Sequence, residues 1–283
     1  MVLESLINPL KAEKEPWELF FIGFLYTSVA ILLSLWIFKQ QTSLIMIFLT
    51  VLASVPLIYT TIKYEESKDE EIMEEKTLLR EHSRALAFFS FLFLGFTIAF
   101  AAWYIFLPPD LLSIVFQVQT QTILEINNQV TGNAMEVLNL FTVIFFNNVK
   151  VLIFCILFAF IYGTGAIFIL AWNASVIGVA IGNFIRSEIA SVVSSAGAAG
   201  AAQYFQIVSI GLLKYSIHGI PEILAYIVAG LAGGIISVGV IRHEFTTNKF
   251  ENILLDSSVM LVGALVLLLI AGLLEVFITP LVF

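Results

Sequence analysis

Six polar or ionisable side chains stand out because they lie within or beside long apolar runs: Asn147, Asn148, Asn173, His218, Glu222 and Glu275. Such groups are costly in hydrocarbon and often mark ion, proton or solute sites. His218 and Glu222 form the sharpest pair, since a four-residue spacing puts both on one helix face. They could bind a cation, relay protons or hold a polar solute. The alternative makes Glu222 a first-turn residue, favoured there by the helix dipole, and His218 its cap.

Catalysis is the function class that the sequence supports least. It contains no P-loop, HExxH or GxSxG motif and only three histidines. Cys155 is the single cysteine, which excludes an intramolecular disulfide and a cysteine metal cage. His218 and Glu222 alone are too few ligands for a metal site, so we expect no metal. Without any enzyme motif we also expect no cofactor and no enzymatic activity.

Glu275 follows the apolar run LVLLLIAGLL. If the last helix extends to the end of the chain, this carboxyl group is buried and needs a partner, for which the candidates are Lys150, His218 and Lys214. If the helix stops early, the side chain reaches the membrane interface instead. Asn147 and Asn148 are likewise open to two interpretations, as helix-end caps or as ligands for a solute.

Glycines are the other notable feature of this half of the chain. Several are spaced four apart, a pattern that lets membrane helices approach closely. We therefore assign a role in helix packing to Gly163, Gly165, Gly178, Gly182, Gly230 and Gly234.

Composition decides which elements must position these residues. Of the 283 residues 60% are hydrophobic and 12% are charged, and the mean hydropathy is strongly positive. A soluble chain has roughly 45–50% apolar and about 25% charged residues. Runs long enough to span a bilayer as helices occur at 17–38, 43–62, 85–107, 151–172, 220–241 and 259–277. The predicted fold is an all-α, polytopic transmembrane helix bundle of six to seven spans.

The basic residues predict the orientation of the bundle. They lie before the first span, between spans two and three and before the last span: Lys11, Lys14, Lys63, Lys68, Lys76, Arg80, Arg84, Arg242 and Lys249. By the positive-inside rule these segments and the N-terminus are cytoplasmic, whereas residues 108–148 are external. Residues 173–217 must then cross the membrane as well. We expect there either a broken or re-entrant region between spans four and five, or one tilted span.

The chain divides into three predicted regions. Residues 1–62 form an N-terminal region with a helical hairpin, 63–84 a charged cytoplasmic linker and 85–283 a transmembrane core. Much of the acidity behind the net charge of −8 is local, since seven of the 21 acidic residues lie at 65–75 in the linker, and no basic face for nucleic acid is present. The expected partners are the lipid bilayer and either other membrane proteins or further copies of the chain.

Two phrases of the core resemble the stage II sporulation protein M family. They are FFNNVKVLIFCILFAFIYGTGAIFILAWNASVIGVAIG, at 145–182, and HGIPEILAYIVAGLAGG, at 218–234. Ala174 stands where the family usually has glycine after the asparagine matched by Asn173. The resemblance implies an integral protein of the plasma membrane. It also implies a localising scaffold, since the family's namesake is associated with peptidoglycan hydrolases that remodel the sporulation septum.

Two functions from different classes follow. The first is a non-enzymatic membrane scaffold that assembles with membrane or envelope partners. The alternative is a transporter or channel for an ion or small polar solute, lined by the six polar residues. A wet cavity reaching His218 and Glu222 would favour transport, and a dry, tightly packed bundle would favour the scaffold.

Overall fold

The computed structural model describes residues 15–71, 75–131, 137–197, 200–241 and 248–282, with side chains described for all of these except 66–71, 75–81, 126–131, 137, 162, 196, 248 and 249. All regular elements in these ranges are helical, which confirms the all-α class. The helices are α1 (Glu18–Ile37), α2 (Thr42–Glu71), α3 (Glu75–Phe106), α4 (Pro109–Val115), α5 (Gln117–Thr131), α6 (Val137–Tyr162), α7 (Ala166–Ala196), α8 (Ala201–Ile241), α9 (Asn248–Leu273) and α10 (Thr279–Val282). A 3₁₀ turn, Lys39–Gln41, precedes α2, and a π-helical turn, Leu274–Ile278, links α9 to α10.

Seven helices among the described residues are long and apolar enough to cross a membrane. They cover Glu18–Ile37, Lys39–Glu65, His82–Phe106, Leu138–Ile161, Ala166–Ser195, Ala201–Ile241 and Phe250–Val282. In hydrocarbon a helix satisfies its own backbone polar groups, so apolar runs of this length fold in this way. The predicted polytopic bundle is confirmed, with the larger of the two predicted numbers of spans.

The expected broken or re-entrant region between spans four and five is wrong. Residues 173–196 continue α7 and residues 201–217 begin α8, so the segment contains parts of two continuous helices. The prediction failed because it missed a turn at Gly163, which has a φ of +65° and follows the end of α6. The apolar run 151–172 therefore covers the end of one helix, a turn and the start of the next. With seven full crossings, no additional crossing is needed to explain the distribution of basic residues.

α8 is the central helix of the bundle and α6 is a peripheral one. In α8, 83% of the most apolar window is buried inside the bundle, whereas in α6 only 22% is buried. α8 packs against α6, α7 and α9, and α3 packs against α1 and α7. Only three residues separate α6 from α7 and four separate α7 from α8, so α6 and α8 run in the same direction.

The polar segment between α3 and α6 folds back onto one end of the bundle. α5 packs on α7 and α2, and the buried Gln119 donates a hydrogen bond from Nε2 to the carbonyl oxygen of Ser43, at 3.0 Å. Phe116 is fully buried against the rings of Phe100 and Tyr104. The segment thus covers the end of the bundle at which α3 ends.

At the opposite end, α2 and α3 extend beyond their apolar spans into the predicted linker. Buried Glu65 and His82 meet there, with 2.8 Å between Oε2 and Nδ1. Most of the basic residues from which the orientation was predicted are not described by the structure. Lys11, Lys14 and Arg242 lie outside the described residues, and no side chain is described for Lys68, Lys76, Arg80 and Lys249. The cytoplasmic N-terminus and the identity of the membrane therefore stay predictions.

Candidate functional site

His218 and Glu222 lie one turn apart in the middle of α8 and not at its start. The interpretation of His218 as a helix cap and Glu222 as a first-turn residue is therefore wrong, because α8 begins at Ala201. Their shared face follows from the four-residue spacing. Both side chains are half-buried within a candidate membrane span.

Each of the two side chains has a hydrogen-bond partner. The hydroxyl of the fully buried Tyr226 donates to Oε1 of Glu222, at 2.9 Å. His218 Nδ1 lies 3.4 Å from the hydroxyl oxygen of Thr279, which itself donates to the carbonyl of Leu274 at 3.1 Å. Because a threonine hydroxyl carries one proton, His218 is the donor in this long contact when that proton is directed to Leu274. These two bonds join α8 internally and to α10.

Glu275 lies in the π-helical turn that packs against α8 and α6. The contact between His218 and Thr279 places this turn beside the part of α8 that carries Glu222. π-helical turns often occur at functional sites, and Pro221 interrupts the backbone bonding of α8 at the same level. Each of the two carboxyl groups thus lies on or beside an irregular backbone segment.

The basic residues predicted to pair with Glu275 are placed elsewhere. Lys150 is exposed on α6, and the Lys214 ammonium lies 5.2 Å from the centre of the Phe184 ring. His218 is directed to Thr279. Within the described part of the chain, none of the three forms an ion pair with Glu275.

Asn148 lies at the depth of Glu222 on the facing helix. A Cβ added to Gly233 of α8 would meet Ala159 of α6 at 3.0 Å, which fixes the relative level of these parallel helices. Glu222 precedes Gly233 by the same eleven residues by which the buried Asn148 precedes Ala159. Residues eleven apart lie on the same face of a helix, so Asn148 shares with Ala159 the face of α6 that contacts α8.

The other two asparagines are separate from this cluster. Asn147 is exposed on α6, and both it and Asn148 lie inside the helix, so the prediction that they cap a helix end is wrong. Asn173 lies within α7 and donates from Nδ2 to the carbonyl of Ile169 in the same helix, at 2.8 Å. The described cluster is therefore His218, Glu222, Tyr226, Glu275 and Thr279 on α8 and the last span, with Asn148 at the same level of α6.

Most of the predicted packing glycines lie at close helix contacts. A Cβ at Gly178 would meet Phe100 Cβ at 2.7 Å, one at Gly182 would meet Tyr104 Cβ at 2.8 Å, and one at Gly230 would meet Ala166 Cβ at 2.7 Å. Gly234 approaches the carbonyl of Gly163, which with Gly165 forms the turn between α6 and α7. Gly163 has nothing within 4 Å of an added Cβ and is needed instead for its positive φ.

Three cavities can be compared with the cluster. An apolar groove of about 250 Å³ lies between α3, α7 and α8, and a small space of about 20 Å³ lies beside Gly163. A recess of about 480 Å³ under α4 and α5 is lined by Tyr104, Asn183 and Arg186 among others. These three cavities are lined by residues other than those of the cluster. Among the described residues, no group of three or more His, Cys, Asp or Glu is placed to hold a metal ion.

Sequence reasoning missed three polar residues with structural roles. Tyr226 follows Glu222 by four residues, so the spacing was a usable signal. Thr279 meets His218 only because of the π-helical turn, for which the sequence carried no signal. Arg186 donates to the carbonyl of Leu107 at 2.8 Å and so satisfies the end of α3.

Comparison with known proteins adds a family. Neither the curated proteins nor the solved structures contain a match to the chain. The family model described as Stage II sporulation protein M matches residues 86–280, which is more than half of the chain and includes every residue of the cluster. The chain therefore belongs to the stage II sporulation protein M family of integral membrane proteins.

Proposed function

We propose that this protein is a membrane scaffold, a stiff helix bundle that holds other membrane or envelope proteins in place. Close packing at glycines carries the proposal: Gly23 approaches the carbonyl of Leu92, and Gly178 approaches that of Thr97, within 3 Å of an added Cβ. Small residues at such contacts let membrane helices pack backbone against backbone. A bundle of this kind suits a platform better than a moving transporter.

The polar cluster is compatible with this function. Its hydrogen bonds, from Tyr226 to Glu222 and between His218 and Thr279, lie within the chain and join α8 to the end of the last span. Polar contacts of this kind hold helices together in hydrocarbon. In a scaffold the cluster is structural and needs no solute.

The extensions of α2 and α3 supply a surface outside the membrane. Both helices continue beyond the spans that end at Glu65 and begin at His82, where these two side chains bind each other. This arrangement joins the bases of the two extensions. A joined helical pair at the bundle end is a suitable docking element for a soluble part of a partner.

The test is to extract the tagged chain from its own membranes in a mild detergent and to measure the mass and composition of the particle. We expect a partner protein in fixed stoichiometry with the chain. The Gly178→Ala variant should weaken this complex, whereas Gly263→Ala should not, because a Cβ at Gly263 meets nothing within 4 Å. A particle that contains only one copy of the chain would contradict the proposal.

A second candidate, transport of an ion or small polar solute, is favoured by one specific observation. Glu222 and Glu275 both lie inside apolar spans, Glu222 next to Pro221 and Glu275 in the π-helical turn. Interrupted helices often carry the binding sites of transporters. Flux of Na⁺, K⁺ or H⁺ into proteoliposomes should then fall in Glu222→Gln and stay unchanged in Tyr59→Phe, an exposed control on α2. Equal flux in Glu222→Gln and the unchanged protein would exclude this site.

A further inference from the structure

The outward face of α6 carries a charge in the middle of a membrane span. Lys150 is exposed, and Asn147 is exposed one turn before it on the same face. Around them the face is apolar, with Phe146, Ile153, Phe154 and Leu157 each about half exposed. The face therefore combines a lipid-like surface with one cation and one amide.

Lys150 lies near the middle of its span, far from both ends of the apolar run. The span runs from Leu138 to Ile161, so Lys150 lies twelve residues from one end and eleven from the other. At 1.5 Å per residue this is roughly 16 to 18 Å to either end of the span. A lysine side chain that extends along the helix reaches about 6 Å, which is much shorter than the distance to either end of the span.

Two basic groups that lie well inside other spans, Arg186 and Lys214, have partners within the protein. Arg186 donates to the carbonyl of Leu107, and Lys214 lies over the ring of Phe184. Among the described residues, no carboxylate or carbonyl oxygen accepts from Lys150. The buried face of α6, with Asn148, points the other way, toward α8.

We propose that this face of α6 binds a membrane-spanning helix of another protein that carries an Asp or Glu at mid-depth, so that the carboxylate pairs with Lys150 and a polar group meets Asn147. The proposal rests on the scaffold function and names the chemistry of the partner. Charge complementarity selects the occupant, because ionisable groups in spans pair with one another. A second copy of the chain is a poor occupant, since a two-fold axis along the membrane normal would bring two Lys150 side chains together.

The experiment uses a synthetic probe, a Leu/Ala helix of about 24 residues with one central Glu, and a matched probe with Gln. Association with the intact chain is measured by energy transfer in neutral phosphatidylcholine vesicles. The Glu probe should bind about tenfold more tightly than the Gln probe, as expected for a polar contact of this kind in a membrane. Lys150→Met should remove the difference, whereas Lys39→Met, at the exposed turn between α1 and α2, should keep it.

A charge swap provides the decisive arm. Lys150→Glu should lose binding to the Glu probe and gain binding to a probe with a central Lys. Unchanged helicity and particle size of each variant would show that it is folded, as expected for an exposed position.

Three outcomes would overturn the proposal. One is equal binding of the Glu and Gln probes. Another is enrichment of anionic lipid around the unchanged protein but not around Lys150→Met, combined with equal binding of all probes. This result would mean that Lys150 binds a lipid phosphate. The third is self-association through α6, detected by cross-linking of a Cys substituted at Asn147. These results are independent of the extraction test, which can fail while the probe still binds.

Discussion

The two faces of α6 treat polar groups in opposite ways. On the inner face, Asn148 lies at the level of Glu222, in a region where Tyr226 and Thr279 supply hydrogen bonds to the cluster. On the outer face, Lys150 and Asn147 are exposed within the span. Both faces carry the cost of polar groups in hydrocarbon. On the inner face Asn148 is buried against the bundle, whereas on the outer face Lys150 contacts no acceptor among the described residues.

The same contrast applies to glycines. Gly178, in the α3–α7 contact, has backbone and side-chain atoms within 3 Å of an added Cβ, and Gly263, on the exposed side of α9, has none within 4 Å. Residue type alone does not distinguish the two. Substitutions at the inner and outer positions should therefore differ in size and even in sign.

The largest effect on stability is expected for Gly178→Ala. The new methyl group would lie 2.7 Å from Phe100 Cβ and 2.8 Å from the carbonyl oxygen of Thr97, and the backbone cannot move away locally. Overpacking of this kind costs roughly 1 to 3 kcal/mol. Unfolding in mixed micelles, followed by circular dichroism against the fraction of dodecyl sulfate, measures the change. Gly263→Ala should be neutral or stabilising by up to about 1 kcal/mol, because alanine favours the helix; equal destabilisation of both variants would refute the assignment of Gly178.

Arg186→Met should have the next largest effect. It removes the guanidinium that donates to the carbonyl of Leu107 and leaves the end of α3 unsatisfied. Hydrogen bonds to charged groups contribute about 1.5 to 3 kcal/mol, and partial exposure of Arg186 lowers the expectation to about 1.5 kcal/mol. The same unfolding assay applies, with Lys63→Met, at an exposed position of α2, as the control. If the two substitutions have the same effect, Arg186 does not cap α3.

Tyr226→Phe should destabilise the bundle by about 1 kcal/mol or somewhat less. It keeps the ring and removes the donor to Glu222, and interhelical and intrahelical polar contacts in membranes average near this value. Tyr59→Phe, at an exposed tyrosine on α2, is the matched control and should change stability by less than the error. A Tyr226→Phe variant as stable as the control would show that Glu222 is satisfied in another way.

Several features of this contrast could be predicted from sequence. Composition and run length establish an all-helical membrane protein, because no other backbone arrangement fits so many apolar runs. The shared face of His218 and Glu222 follows from spacing alone. The glycine pairs predict close contacts, and four of the six predicted glycines have an atom within 3.1 Å of an added Cβ across a helix contact: Gly178, Gly182, Gly230 and Gly234.

Other features depend on tertiary placement and could not be predicted. Glycine is common inside membrane helices, so Gly163 and Gly165 gave no reason to place a turn within the apolar run 151–172. The limits predicted for the spans on either side of this turn were therefore wrong. The contact between His218 and Thr279 requires the antiparallel packing of the last span on α8, which no local pattern encodes. The exposure of Lys150 could not be predicted either. The two-residue spacing puts Lys150 and Asn148 on opposite faces of α6, but only the packed bundle shows which face is covered.

The smallest effect on stability is expected for Lys150→Met, and it separates the two faces most clearly. Lys150 is exposed and contacts no described acceptor, so its loss should change the unfolding free energy by less than about 0.5 kcal/mol, as for most surface substitutions. The same variant should lose its preference for the Glu probe, whereas Tyr226→Phe should lower stability and keep that preference. A clear loss of stability in Lys150→Met would mean that the lysine has a partner within its own chain, and the outer face would then resemble the inner one.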